Sequence, residues 1–138
     1  MIKIVLDTNN FISAQISKKG ASAQIYQLWK ENKIEILTSP FQLKELKKVL
    51  NYPRIKQKYR LSQRKIEQIV KIIKKHATIL YPIDIPQVIS EDPVDNQVLA
   101  IAQEGKANFI VSGDHHLLQI KKFKGIPIVS TRSFLKKF

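Results

Sequence analysis

Asp7, Glu45, Asp95 and Asp114 are the residues of this chain best placed to do chemistry. Asp7 follows the apolar run Ile4, Val5, Leu6, and Asp114 follows Phe109, Ile110, Val111 after Ser112 and Gly113. An apolar run without polar alternation reads as a strand buried on both faces. A carboxylate at the carboxyl end of such a strand sits where open α/β sheets bind ligands, and two on neighbouring strands converge on one crevice. Asp95 falls in the first turn of a helix opened by Asp92 and Pro93, and Glu45 lies inside a mostly apolar and basic helix. Carboxylates a few ångströms apart raise one another's pKa, so a cluster is costly unless a cation neutralises it. Hard divalent cations prefer oxygen ligands, and Mg²⁺ keeps some waters and a bond to substrate phosphate. Two such ions about 3.5–4 Å apart activate a water and stabilise the leaving oxygen of a phosphodiester.

Each acid also has a local explanation. Asp7 and Asp114 suit the N-caps of the helices that follow them. Asp95 suits the N3 acid of a capping box with Asp92 as N-cap, which leaves Asp92 mainly a cap and otherwise an auxiliary of the site. Glu45 suits a surface ion pair with Lys44 or Lys48. His115 and His116 read as exposed loop residues in preference to metal ligands.

The elements that must position these acids alternate in kind. After the first strand, Phe11 to Ile16 forms a short helix, interrupted at Lys18, Lys19 and Gly20. Ala21 to Glu31 has helical spacing of Ala21, Ile25, Leu28 and Trp29, and Ile34 to Leu37 is a second strand. Ser39 as N-cap, Pro40 at the first helical position and Gln42 closing a capping box start the helix that carries Glu45. Pro53 breaks it, and Arg54 to Arg60 is a short helical piece. Ser62 caps a longer helix through His76 with Ile66, Ile69, Val70 and Ile73 inward. Thr78 to Tyr81 is a strand, and Pro82 to Pro86 a connection, since proline is a poor central-strand residue. The helix opened by Asp92 stops at Gly105, Phe109 to Val111 is a strand, and His115 to Ile120 is a turn or two of helix. Ile126 to Val129 is the last strand, and Ser130 starts a terminal helix ending at Phe138. Strands alternating with helices imply a parallel sheet covered on both sides.

A chain of 138 residues at 43% hydrophobic makes one domain, residues 1–138, with a real core. It has no cysteine, which excludes a disulfide framework and thiolate metal sites. No apolar run approaches the roughly 18 residues of a membrane span. Met1 leads directly into a strand without a signal peptide, so a soluble cytoplasmic protein is expected. With 24 Lys and Arg against 11 Asp and Glu, the formal charge is +13 and the pI near 10.0. That imbalance favours polyanions, nucleic acid or an acidic membrane surface, over a basic surface that only keeps the protein soluble. Between Lys44 and Lys75 the basic residues include Lys44, Lys47, Lys48, Arg54, Arg60 and Arg64, opposed only by Glu45 and Glu67. They form either a solvated helical face or a phosphate-contacting arm, with Tyr52 or Tyr59 stacking a base.

Taken together, the segments VLDTNNFISA, SPFQLKELKKVL, EDPVDNQVLAIA, VSGDHHLL and GIPIVSTRSFL span essentially the whole chain, and in order and spacing they resemble a PIN-domain protein. The resemblance is to the type that serves as the toxin of a toxin–antitoxin pair. It implies a five-stranded parallel sheet of order 3-2-1-4-5 sandwiched by helices. It also implies an endoribonuclease of single-stranded RNA that uses one or two Mg²⁺ or Mn²⁺ ions. The family's acidic quartet matches Asp7, Glu45, Asp95 and Asp114, and its supporting polar residues match Asn9 and Ser112. A cognate antitoxin and a homodimer are the partners it implies, with no membrane. Two departures stand out: Asn10, where relatives carry an apolar residue, and Asn96, where an acid is frequent. On this reading Asp7, Asp95 and Asp114 bind metal, Glu45 binds metal or orients the attacking water, and cleavage leaves a 5′-phosphate and a 3′-hydroxyl. The alternative is a PIN fold that holds RNA or a protein without cutting. A haloacid-dehalogenase-type enzyme would want a second aspartate where Asn9 stands, and a receiver domain an acidic pair after its first strand.

Overall fold

The computed structural model describes residues 1–17, 19–88 and 92–138. Lys18, one of the residues expected to interrupt the first helix, and Glu91, the first residue of one matched segment, lie outside the described residues. The elements in chain order are β1 (Ile2–Leu6), α1 (Thr8–Ile16), α2 (Ala21–Lys30), β2 (Ile34–Thr38), α3 (Pro40–Leu50), α4 (Pro53–Lys58) and α5 (Gln63–His76). They continue with β3 (Thr78–Ile79), α6 (Pro93–Gly105), β4 (Phe109–Val111), α7 (His115–Ile120), β5 (Lys122–Phe123), β6 (Ile126–Val129) and α8 (Thr131–Lys137).

The strands form a sheet of order β3-β2-β1-β4-β6-β5. The first five in that order run parallel, with Ile4 opposite Ile36, Val5 opposite Ile110 and Ile110 opposite Ile128. They are the five strands expected from the sequence, in the expected 3-2-1-4-5 arrangement, with β6 as the fifth. The correction is a sixth strand, β5, which pairs antiparallel with β6 through Phe123 and Ile126. At two residues it is too short to leave a periodic signature. β3 is also shorter than expected. Leu80 N still donates to Thr38 O at 2.9 Å, but Pro82 follows and has no N–H to continue the ladder. The first helix starts at Thr8, three residues before the expected Phe11, because Asp7 caps it by accepting from Asn10 N.

Alternate residues of the central strands feed two cores. Ile4, Leu6, Ile34 and Ile36 face Phe11, Ile25, Trp29, Leu46, Ile66, Ile73 and Phe134. Val5, Leu37, Ile110 and Ile128 face Val98, Leu99, Ile101, Ala102 and Leu117. Burying both faces explains why the Ile4, Val5, Leu6 end of β1 and all of β4 read as unbroken apolar runs. α6 is buried at every position from Asp95 to Ala102, wedged against β1, β2, β4 and α3. No helix among the described residues is long and apolar enough to cross a membrane.

Candidate active site

The chain leaves β1 toward β2 on one side of the sheet and returns from β3 to β4 on the other, so the sheet order reverses between β1 and β4. The carboxyl ends of these two strands therefore splay apart into the crevice where such sheets bind ligands. Leu6 pairs with Val111, and Asp7 N donates to Val111 O at 3.1 Å, so Asp7 and Ser112 emerge side by side.

Asp7 is buried and firmly held. Its Oδ1 accepts from Asn10 N at 2.8 Å, while its Oδ2 accepts from Ser112 Oγ and from Gly113 N at 3.3 Å. Ser112 Oγ in turn accepts from Asp114 N at 2.9 Å, so one buried hydroxyl links two acids. Asp114 caps α7 by accepting from His116 N at 2.7 Å. Asp92 caps α6 by accepting from Val94 N and Asp95 N at 3.1 and 3.2 Å. The capping roles foreseen for Asp7, Asp92 and Asp114 are thus real and coexist with a place in the cleft, since a carboxylate has about four lone-pair sites on its two oxygens.

Asp7, Glu45, Asp92, Asp95 and Asp114 line one cleft of about 210 Å³, together with Thr8, Asn9, Val49 and Val94. Within it, ligand oxygens of Asp92, Asp95 and Asp114 lie within 4.8 Å of one another. Asp95 is 5% exposed, and its Oδ2 has no hydrogen-bond partner among the described residues. Thr8 Oγ1, also in the lining, is likewise buried without one. Burial, then the charges of Asp92 and Asp114, push the Asp95 carboxyl up to about 7. Burial also raises Asp7, against the lowering effect of its bonds from Ser112, Asn10 and Gly113. A protein does not ordinarily bury a carboxylate oxygen without a donor beside two other acids. An all-oxygen set of this kind with an unsatisfied buried oxygen fits a hard divalent cation.

Glu45 forms no ion pair with Lys44 or Lys48 among the described residues, and half-buried it joins the cleft lining. Asn9 also lines the cleft but is exposed and, among the described residues, makes no hydrogen bond to the acids. That work falls to the next residue: Asn10 gives its N–H to Asp7 and its Oδ1 accepts from Gly113 N at 3.1 Å. The only sequence signal was its polarity at a position where an apolar side chain was expected. Gln42 does not close a reciprocal capping box. Its N–H does meet Ser39 Oγ at 3.2 Å, but its side chain donates to Leu6 O at 2.7 Å and accepts from Thr38 Oγ1 at 2.6 Å. His115 and His116 are exposed and outside the cleft lining. Lys44, Lys47, Lys48, Arg54, Arg60 and Arg64 are all exposed. A separate cavity of about 350 Å³ between α2 and α5, lined by Tyr26, Trp29, Lys30 and His76 among others, contains no carboxylate.

Fold and cleft together define an α/β protein with an acidic cleft at the switch point of its sheet. Residues 3–116 match the PIN domain, and the chain belongs to that family. It is 34% identical over 120 residues to an uncharacterized protein of Methanocaldococcus jannaschii, covering 87% of this chain and 76% of the relative. Its fold is similar to that of PAE2754 from Pyrobaculum aerophilum, with a TM-score of 0.64 and 15% identity over 99% of this chain and 88% of that one. It is also similar to VapBC2 from Rickettsia felis, solved bound to a DNA fragment from its promoter. There the TM-score is 0.59 at 14% identity, over 94% of this chain and 98% of that one.

Proposed function

We propose that the chain is a metal-dependent endoribonuclease of single-stranded RNA, acting as the toxin of a toxin–antitoxin pair. The observation that carries this is the partnerless, buried Oδ2 of Asp95 inside a cluster with Asp92 and Asp114, in a cleft shared with Asp7 and Glu45. Membership of the PIN family and likeness to the VapBC2 chain support the nuclease and toxin readings. The net charge of +13 supports a polyanionic substrate, because five of the 11 acids are drawn into one cleft and the rest of the surface is left strongly basic.

Asp7, Asp95 and Asp114 would hold Mg²⁺ or Mn²⁺, one or two ions, with Asp92 as an auxiliary and Glu45 as a direct or water-mediated ligand. Such an ion supplies Lewis-acid charge that lowers the pKa of water and offsets charge on the phosphate. Ser112, Asn10 and Gly113 hold Asp7 in one orientation, as hydrogen bonds behind a ligand do. In the water-mediated arrangement, Glu45 orients the attacking water and accepts its proton at the carboxylate. The water oxygen bonds to phosphorus as the P–O3′ bond breaks, and the 3′ oxygen takes up a proton from solvent, giving a 5′-phosphate and a 3′-hydroxyl. The 2′-hydroxyl takes no part, so preference for RNA arises in binding. A cognate antitoxin, by analogy with the VapBC2 pair, would cover the acidic cleft.

The test compares the parent chain with Asp7→Asn on a mixed single-stranded RNA with and without Mn²⁺. Cleavage by the parent that requires Mn²⁺, and at least a hundredfold loss in a variant with unchanged circular dichroism, is expected. Equal cleavage by a folded Asp7→Asn protein rejects the assignment. Mn²⁺ binding by calorimetry without cleavage turns the reading to a non-catalytic RNA- or protein-binding module.

A further inference from the structure

We propose that a basic groove between α3 and α5, beside the edge strand β3, holds the single-stranded RNA flanking the bond cut in the acidic cleft. It rests on the ribonuclease reading of that cleft. The groove has a volume of about 430 Å³ and includes Lys44 and Lys47 of α3, Lys74 of α5 and Tyr81 just past β3, with Val70 and Ile79 beneath. Among the described residues no carboxylate lines it, so its three lysines meet no opposing charge in the lining.

α3 is the wall between the two sites. Glu45 and Val49, one turn apart, line the acidic cleft, while Lys44 and Lys47 line the groove on its other side. A helix with its side chains is about 10–12 Å across. A strand with its scissile phosphate among the acids therefore needs only a few nucleotides to pass over α3 and reach the lysines. Tyr81 is 71% exposed and contributes an aromatic side chain to the groove lining. Every base offers a face to such a ring, so the grip would be indifferent to sequence. Tyr52 and Tyr59, the aromatics the sequence suggested for stacking, lie outside this groove, and Lys58 sits 5.4 Å over the Tyr59 ring. Charge complementarity and the helix α3 that the groove shares with the acidic cleft favour RNA over a protein segment, for which the three lysines would need acidic partners.

The experiment uses Tyr81→Ala, Tyr81→Phe, Lys74→Gln and, as a control in α8, Lys136→Gln. Affinity for a short labelled single-stranded RNA is measured by fluorescence anisotropy without divalent metal, as a function of salt. In parallel, Mn²⁺-dependent hydrolysis of bis(p-nitrophenyl) phosphate, a diester too small to span α3, reports on the cleft alone. Tyr81→Ala is expected to weaken RNA binding about tenfold, with Tyr81→Phe close to the parent. Lys74→Gln should weaken binding and lower the salt slope by about 0.7, while Lys136→Gln does neither. Hydrolysis of the small diester should be unchanged throughout. RNA affinities of Tyr81→Ala and Lys74→Gln within twofold of the parent, while the parent hydrolyses the diester, overturn the groove and leave the nuclease reading standing. A parent that cleaves neither the diester nor single-stranded RNA with Mn²⁺ overturns the nuclease reading itself, and the inference with it. Loss of self-association in place of RNA affinity would assign the groove to a second copy and also overturns the inference.

Discussion

Asp95 concentrates the tension in this site. It lies in the first turn of α6, where the helix dipole favours an anion, yet burial and the charges of Asp92 and Asp114 outweigh that and push it up to about 7. An acid whose folded pKa lies above its unfolded value favours the fold when protonated. That contribution is fully present below the ordinary carboxylate range near about 4 and is lost as pH rises through about 7. Asp7 is raised as well and acts with the same sign. The metal-free protein should therefore melt at a lower temperature at about pH 8 than at about pH 5.5, and Mn²⁺ should raise the melting temperature more at the higher pH. Melting curves independent of pH in the absence of metal would contradict this. Asp95→Asn should stabilise the metal-free protein at about pH 8 by roughly 1 kcal/mol, flatten the pH dependence and abolish Mn²⁺-dependent cleavage. The acids themselves were legible because each announces itself at a strand end, at a helix start or, for Glu45, in a basic helix. Asn10 was not, because its link to Gly113 spans 103 positions and local pattern carries no information over that distance.

At the scale of elements, Gln42 is the clearest case of a local motif used for a distant purpose. Ser39 and Pro40 start α3 as the sequence suggests, but the buried Gln42 side chain ties that start to Leu6, the residue before Asp7. Glu45 lies one turn further along the same helix, so this bond sets how α3 meets the end of β1. Gln42→Leu leaves the Thr38 hydroxyl and the Leu6 carbonyl without that partner and should cost about 1–3 kcal/mol in denaturant unfolding. Calorimetry on the folded variant should show weakened Mn²⁺ binding, and unchanged stability and metal affinity would remove Gln42 from this role. α6 teaches a related lesson. It is buried on every side from Asp95 to Ala102, so it lacks the polar face that marks a surface helix, and its bounds were readable only from Asp92, Pro93 and Gly105. Gly105, the last residue of α6, is small for a packing reason, and the helix ends at the left-handed Lys106, at φ 52°. A Cβ on Gly105 would lie 2.5 Å from Leu37 Cδ1 and 2.6 Å from Leu80 Cδ1.

Over the whole molecule, charge is divided by place, acids at the switch point and bases nearly everywhere else. RNA affinity should fall steeply between about 50 and 200 mM salt, with a log–log slope of about −2 or steeper if three or more phosphates are neutralised. Filter binding across that range checks it, and a flat response would deny the basic surface a part in holding substrate. The alternation of strand and helix made the doubly covered parallel sheet readable, while the two-residue β5 escaped because pairing with β6, not its own sequence, makes it a strand. The borders of the sheet carry one further meaning. On one side β3 is two residues long and runs into Pro82 and later Pro86, and on the other β5 is equally short. Neither margin offers a foreign strand a long row of unpaired amides, so the chain is built against fibril growth and edge-to-edge clumping, a useful property for a protein whose core strands are almost wholly aliphatic.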